Sequence, residues 1–287
     1  MISPRLLRRR IRSIQSTAKI TKAMEMIATA KMKHAQEQAL AGRPYNNKIT
    51  QLIADLAAAS TSSTEVPLHP LLEHRDLINK AAIIHITSDR GLCGGLNTNV
   101  NRLCGNFIVE QNIPVSLVTV GRKGRDFMYR SMRDIRAEFS ISDPPTLFDT
   151  LPISRLVIDD YTDKYVDVVY ISYTKYESTM TQKPVIETLL PIKPESSQMS
   201  EPVEYIYEPD PNQVFQGLLP RYVEMKIFHA IREAVASEHS ARMIAMRNAT
   251  ENANEIVDHL VLTLNKARQE MITTELLDIT GGVEVLN

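Results

Sequence analysis

Near the N-terminus, Leu7, Ile11, Ile14, Ala18, Thr21, Glu25, Ala28, Met32, Ala35 and Ala39 fall alternately four and three residues apart. A repeat averaging about 3.5 residues is the seam of a left-handed coiled coil. Ser3-Pro4 supplies a helix start, a cap followed by proline at the first helical position. Nothing after it stops a helix before Gly42, and Ile49, Leu52, Ile53 and Leu56 carry helical periodicity past Pro44 to about Ala58. The seam is built from small residues, so two backbones can approach closely while burying little area. A second stripe, Ile20, Met24 and Ile27, lies off that seam. A helix apolar around much of its girth is normally enclosed, so this one calls for more than one partner.

The same grammar returns at the other end. Asp210-Pro211 opens a second helical stretch that Gly281-Gly282 should end, and Ala249, Ala253, Ile256, Leu260, Thr263 and Ala267 again alternate four and three. At about 1.5 Å per residue the two helices would reach roughly 80 and 100 Å, more than a globular domain of this size needs. They most economically pair antiparallel, the longer one projecting. Pro220 should kink the second near its start.

Between them the pattern is that of an α/β domain. AAIIHIT reads as a short buried strand, Asn97 to Asn112 as a helix, and Pro114 to Gly121 as a second strand, which makes a βαβ unit with parallel strands. A short helix around Asp126, a strand near Ala137 to Ser140, a helix from Leu147 to about Tyr161, and strands Asp167 to Tyr176 and Val185 to Leu190 complete it. The expected fold class is therefore α/β: a long antiparallel coiled coil of N- and C-terminal helices plus a central Rossmann-like domain. The expected parts are an N-terminal helix over 1–58, the α/β domain over 75–210 and a C-terminal helix over 211–287.

Composition then narrows the chemistry. The chain has 287 residues and no tryptophan, and its net charge of -1 hides a basic N-terminal segment. Arg5, Arg8, Arg9, Arg10, Arg12, Lys19, Lys22, Lys31, Lys33, Arg43 and Lys48 face only Glu25 and Glu37 there. An acidic partner, a nucleic acid or plain solvation would each suit that excess. A DNA-reading basic helix should be polar all round, whereas apolar positions run straight through this one. Cys93 and Cys104 match no metal or redox spacing and suit a reducing compartment. No apolar run approaches the ~18 residues of a membrane span, and no secretory h-region is present. A chain that is soluble or peripheral to a membrane is expected.

The loop DRGLCGGLN, Asp89 to Asn97, leaves a strand for a helix, the geometry in which phosphates are often cradled. Its glycines, Gly91, Gly94 and Gly95, lack the dinucleotide spacing, and the second strand ends in Gly121-Arg122-Lys123 rather than near an acid. A P-loop would need Lys and Ser or Thr where Leu96 and Asn97 stand. Both signatures fail, which leaves tight turns as the role of the glycines. Asp159, Asp160, Asp163 and Asp167 straddle a helix end and a strand start without converging at ligand spacing, and read as a solvated face. No catalytic constellation, metal site or cofactor site emerges.

Four segments together resemble one family: IRSIQSTAKITKAMEMIATAKM (Ile11 to Met32), SDRGLCGGLN (Ser88 to Asn97), YIYEPDP (Tyr205 to Pro211), and SEHSARMIAMRNATENA followed by NKARQEMITTELLDITGG (Ser237 to Gly282). In this order they are similar to the gamma subunits of F-type ATP synthases, the central rotor shaft. The resemblance implies a coiled coil turning inside a ring of alpha and beta subunits, with the α/β domain at the foot on the c ring beside epsilon. It implies a non-catalytic subunit, without cofactor, metal or nucleic acid, peripheral on the cytoplasmic face of a bacterial plasma membrane and not inserted in it. It places Met24 and Arg242 against the ring, Arg242 at the level of an acidic beta segment. Arg268, Gln269, Thr273 and Glu275 would meet ring loops near the tip, and Tyr205, Tyr207 and Glu208 would contact the c ring and epsilon. The chain lacks the cysteine-bearing insert of chloroplast members. The residue-level alternatives are a Rossmann-like nucleotide-binding enzyme with helical oligomerisation arms, and a basic coiled-coil nucleic-acid binder.

Overall fold

The computed structural model of the chain describes residues 3–61, 69–75, 77–192 and 211–285. Two helices bracket the chain, α1 (Pro4–Thr61) and α5 (Pro211–Val285). Pro44 lies inside the first and Pro220 inside the second, and neither ends its helix. The Gly281-Gly282 pair does not end α5 either: the helix continues to Val285. Glycine raises the cost of a helix by about 1 kcal/mol per residue without forbidding it, and no proline comes after the pair to enforce a stop. The chain divides into two compact units, Met1–Thr29 with Arg242–Asn287, and Ala30–Ala241, so each long helix contributes to both.

In the first unit the two helices run antiparallel. Thr21 shares a hydroxyl hydrogen bond of 2.8 Å with Thr250, while Arg247 reaches Glu25, so partner numbers fall along α5 as they rise along α1. Leu7, Ile11, Ala18, Glu25 and Ala28 are buried on α1, as are Met243, Met246 and Ala253 on α5. Every described position of the expected α1 seam is at least half-buried. The α5 seam needs a correction. Ile256 is 50% exposed, whereas Val257 is half-buried, so the inner line runs Met246, Thr250, Ala253, Val257, Leu260, Leu264, Ala267. Both lines share Ala253, Leu260 and Ala267 and obey the same spacing, so the pattern alone could not choose between them.

The second unit is built on β1 (Ala81–Ile86), β2 (Val115–Val120), β3 (Ile135–Phe139), β4 (Val168–Tyr176) and β5 (Gln182–Leu190). Their order is β3-β2-β1-β4-β5, parallel except for β5, which pairs antiparallel with β4. A five-residue link, 177–181, is too short for a crossover and permits only a hairpin-like return. Alternation divides the core between the two faces of the sheet. Ala82, Ile84 and Ile86 join Val118, Val120, Val169 and Ile171 under α4 (Leu147–Thr162) and under Ile49, Ile53, Leu219, Val223 and Ile227 of the long helices. Ile83 and Leu117 pack on the other face against Cys104 and Ile108 of α2 (Leu96–Glu110) and Met128 of α3 (Arg122–Arg130).

Polar contacts tie the long helices to this sheet. Ser237 and Ser240 are buried, and donate to the carbonyls of Thr174 at 3.0 Å and Thr179 at 2.7 Å. Lys31 of α1 pairs with Asp143, whose other oxygen lies 3.7 Å from His239 of α5. At one sheet edge, β3 turns Arg136 and Glu138 outward; Arg136 grips Asp160 through two hydrogen bonds of 2.6 and 2.7 Å, and Arg125 faces Glu138 at 3.5 Å.

Candidate functional site

The glycine loop is sealed by its own polar groups. Asn97 Nδ2 donates to Ser88 Oγ at 2.7 Å, Ser88 Oγ donates to the Arg90 carbonyl at 2.7 Å, and the Ser88 backbone N–H reaches Asn97 Oδ1 at 3.2 Å. The N-terminus of α3, beside the loop, is a ready-made anion site, and the chain fills it. Asp89 accepts from the N–H of Arg122 at 2.9 Å, the Ser88 carbonyl from that of Lys123 at 3.1 Å, and Thr87 Oγ1 from that of Gly124 at 2.8 Å. Three first-turn donors that a phosphate would need are thus occupied by the end of the β1 loop.

The glycines that this packing cannot replace are not those of the loop. A Cβ on Gly121, at φ +91, would lie 2.1 Å from the Thr87 carbonyl oxygen, and one on Gly124 would lie 2.7 Å from the His85 ring. Gly94, at φ +59, supplies a left-handed turn with open space around it. Leu92 takes the same region at φ 64 and is exposed.

Beneath the loop His85 is wholly buried. Its Nε2 lies 2.8 Å from Asn101 Oδ1 and its Nδ1 3.4 Å from Ser172 Oγ, and burial lowers its pKa to about 4. Burial likewise raises the Cys104 thiol to about 12, so neither group is poised for chemistry near neutrality. The aspartate group is only partly a solvated face. Asp160 is buried under Arg136, and Asp167 accepts from the N–H groups of Asn79 and Lys80 and from Arg75, which also stacks over Tyr161. These are structural ion pairs, and among the described residues no group of three or more His, Cys, Asp or Glu could hold a metal ion.

The surface of the first unit is unusual for a soluble helix pair. Ile20 and Ile27, from the second α1 stripe, are 59% and 58% exposed, and Leu6, Met26, Ile256, Leu262 and Ile272 are bare as well. Of the residues singled out from the sequence, Met24 and Arg242 are half-buried, while Arg268, Gln269, Thr273 and Glu275 stand in water on α5. Thr273 spends its hydroxyl on the Gln269 carbonyl at 2.9 Å. Tyr205, Tyr207 and Glu208 lie outside the described residues. The seam itself holds a group that reading the sequence treated as one more seam position. Glu25 is 6% exposed and takes Lys22 at 3.0 Å and Arg247 at 3.3 Å; the Lys22 hydrogen bond, against the cost of burial and with help from Arg247, holds its carboxyl below the usual range.

Comparison with known proteins decides the family. The ATP synthase family profile matches residues 3–286. The chain is 56% identical over 287 residues to the ATP synthase gamma chain of Dehalococcoides mccartyi (strain CBDB1) and 44% identical over 287 residues to that of Moorella thermoacetica, covering 100% of both partners in each case. It belongs to the ATP synthase gamma-chain family. Its fold is that of solved central-stalk chains. A chain of the Euglena gracilis mitochondrial ATP synthase, solved with OSCP, F1 and c-ring, matches with TM-score 0.67 at 18% identity, covering 99% of this chain and 94% of that one. A chain of the Tetrahymena thermophila central stalk and c-ring matches with TM-score 0.64 at 21% identity, over 80% of this chain and 99% of that one.

Within the family frame the SEHS motif has a physical account that spacing did not reveal: its two serines bolt α5 to β4 and to the turn after it. Among the described residues no helix is long and apolar enough to cross a membrane.

Proposed function

We propose that this chain is the shaft of a rotary ATP synthase: its helix pair turns inside a ring of alpha and beta subunits and its sheet domain rides on the c ring beside epsilon. The observation that carries this reading is the bare apolar girth of the helix pair, Ile20, Ile27, Ile256 and Leu262 among it. Apolar side chains gathered on the outer flanks of a helix pair mark a surface that a partner covers. Non-directional apolar contact also suits a bearing, because it favours no one angle strongly. Met24 and Arg242 would add angle-dependent contacts along the shaft, and Arg268, Gln269, Thr273 and Glu275 would do so near the tip. Tyr205, Tyr207 and Glu208 would meet the c ring and epsilon.

The chain does no bond chemistry in this scheme. It biases the affinities of nucleotide sites on its neighbours by presenting a different face to each, which is coupling through differential contact between states. Of the division into a helix over 1–58, a foot over 75–210 and a helix over 211–287, the bearing would then be the part of each helix away from the sheet, up to Thr29 and from Arg242 on, while the remainder of both helices belongs with the foot. The serine bolts and the Lys31–Asp143 pair support torque transfer between sheet and helices. The chain would lie peripherally on the cytoplasmic face of a bacterial membrane.

Tethering tests this. Glu275→Cys, oxidised to a cysteine in the facing beta loop, should stop multisite ATP hydrolysis and release it on reduction. Glu208→Cys joined to the c-ring loop should leave turnover intact, since those parts move together. A foot link that blocked turnover in an assembled complex would overturn the rotor reading.

A further inference from the structure

Helices α2 and α3 lie side by side on one face of the sheet. They meet at Gly105, where a Cβ would lie at ordinary contact distance, 3.7 Å, from the Phe127 ring. The two helices part beyond that contact into a groove of about 560 Å³. Thr98 and Arg102 line it from α2, one turn apart, and Lys123, Phe127 and Arg130 line it from α3 at i, i+4 and i+7. Arg133, just past α3, completes the rim. Four cations therefore converge on one cleft, and no carboxylate is among its lining residues.

The cations are not consumed by the fold. Among the described residues, Arg102 and Arg133 make no ion pair or side-chain hydrogen bond, and Arg130 spends only its Nε on the Asp126 carbonyl. Their neighbours supply neutral polar groups, with Asn97, Thr98, Asn101 and Asn106 along the α2 wall. The volume falls in the range of about 300 to 1,000 Å³ usual for small-ligand sites. Guanidinium groups match phosphate oxygens bidentately, and several around a low wall create a positive potential that gathers anions.

We propose that this α2–α3 groove binds a phosphate anion, either free in solution as a pyrophosphate or nucleotide tail, or carried as an anionic lipid headgroup. The groove draws its charge from α2, α3 and Arg133 rather than from the glycine loop, of which only Asn97 lines it. Arg102, Arg130 and Arg133 bind the phosphate oxygens from the rim, and Lys123 adds charge at the inner end.

The test uses the full chain, titrated calorimetrically with sodium pyrophosphate, and co-sedimented with phosphatidylcholine vesicles with and without phosphatidylglycerol. Saturable pyrophosphate binding that falls at least tenfold in the R102Q/R133Q double variant, with R155Q on exposed α4 surface unchanged, supports the site; a charge-assisted hydrogen bond contributes about that factor. Binding to phosphatidylglycerol vesicles alone, lost in the same variant, supports it with a lipid as the source, and binding to pyrophosphate alone supports a free anion. Binding to neither overturns the proposal, as does binding that the double variant leaves unchanged. Loss of epsilon association in the double variant, with no anion bound by the parent chain, also overturns it and makes the groove a protein contact. Both arginines are exposed, so unchanged circular dichroism and melting should accompany the loss.

Discussion

Arg247 Nε donates to Glu25 Oε1 across the helix pair at 3.3 Å, and this contact sits in a seam otherwise built from small and apolar side chains. Lys22 approaches the same carboxylate from its own helix at 3.0 Å. Both cations are more than half exposed while the carboxylate is buried, so the pair is asymmetric: water can recover the cations and not the acid.

Glu25→Gln should therefore cost the chain only about 1 kcal/mol in urea melts, since the orphaned cations remain solvated. Adding Arg247→Ala should cost less in that background than in the parent, a positive coupling in the double-mutant cycle. The sign with pH comes from the depressed folded pKa of Glu25: the contribution is present above the unfolded carboxylate value and is lost as pH falls through the folded one. Strictly additive substitutions would show that the contact is passive.

His85 has the opposite origin and the same direction. Its pKa falls from 6.5 to about 4 because burial excludes the imidazolium. In that window the unfolded chain binds the proton and the folded one does not, so stability decreases as pH falls from 6.5 to about 4. The full loss is on the order of 3 kcal/mol. His85→Gln should be less stable at pH 7 yet flatter across that window in denaturant midpoints. An acid slope unaltered by the substitution would assign the loss to other groups.

Four of the five glycines in and beside the loop should respond unequally to alanine. Gly121→Ala meets the Thr87 carbonyl at 2.1 Å with a left-handed φ, and Gly124→Ala meets His85 and Thr87 below 3.0 Å. Each should cost roughly 3 kcal/mol or more. Gly94→Ala should cost about 1 kcal/mol for its φ alone, and Gly91→Ala should stay within about 0.5 kcal/mol. Thermal melts of the four variants check the order; an equal effect at Gly91 and Gly121 would contradict the packing.

Replacing Ile20 and Ile27 by serine should change the melting of the isolated chain little, because both are bare there. In a reconstituted complex the same pair should weaken retention of the shaft, by up to about 1.5 to 3 kcal/mol for each side chain enclosed. Counting shaft bound to the ring at limiting concentration separates the outcomes, and full retention would remove the enclosure argument.

Most of the architecture could be read from the chain because its signals are local and periodic. The α1 seam, the β1–α2–β2 unit and the proline starts at Pro4 and Pro211 come from residues near each other. Three things could not be read that way. Ile256 and Val257 offered two inner lines of the same period, and only the partner helix chooses between them. Gly281-Gly282 carried a stop signal that glycine permits but does not impose, and the helix runs on to Val285. Arg136 and Asp160 are far apart in sequence, so spacing treated a buried ion pair as part of a wet acidic run. The candidate site was legible only as bare apolar stripes; Ser237 and Ser240 gave no sign of the strand carbonyls they hold.

The outer strand β3 carries a last consequence. It is one end of the sheet, and its Arg136 and Glu138 stand outward with partners on α4 and α3. A foreign strand that tried to extend the sheet there would meet two charged side chains, an edge that disfavours pairing. That makes β3 a guarded border. A chain waiting for its partners, with so much oily helix on show, has at least this route to fibrous self-association closed.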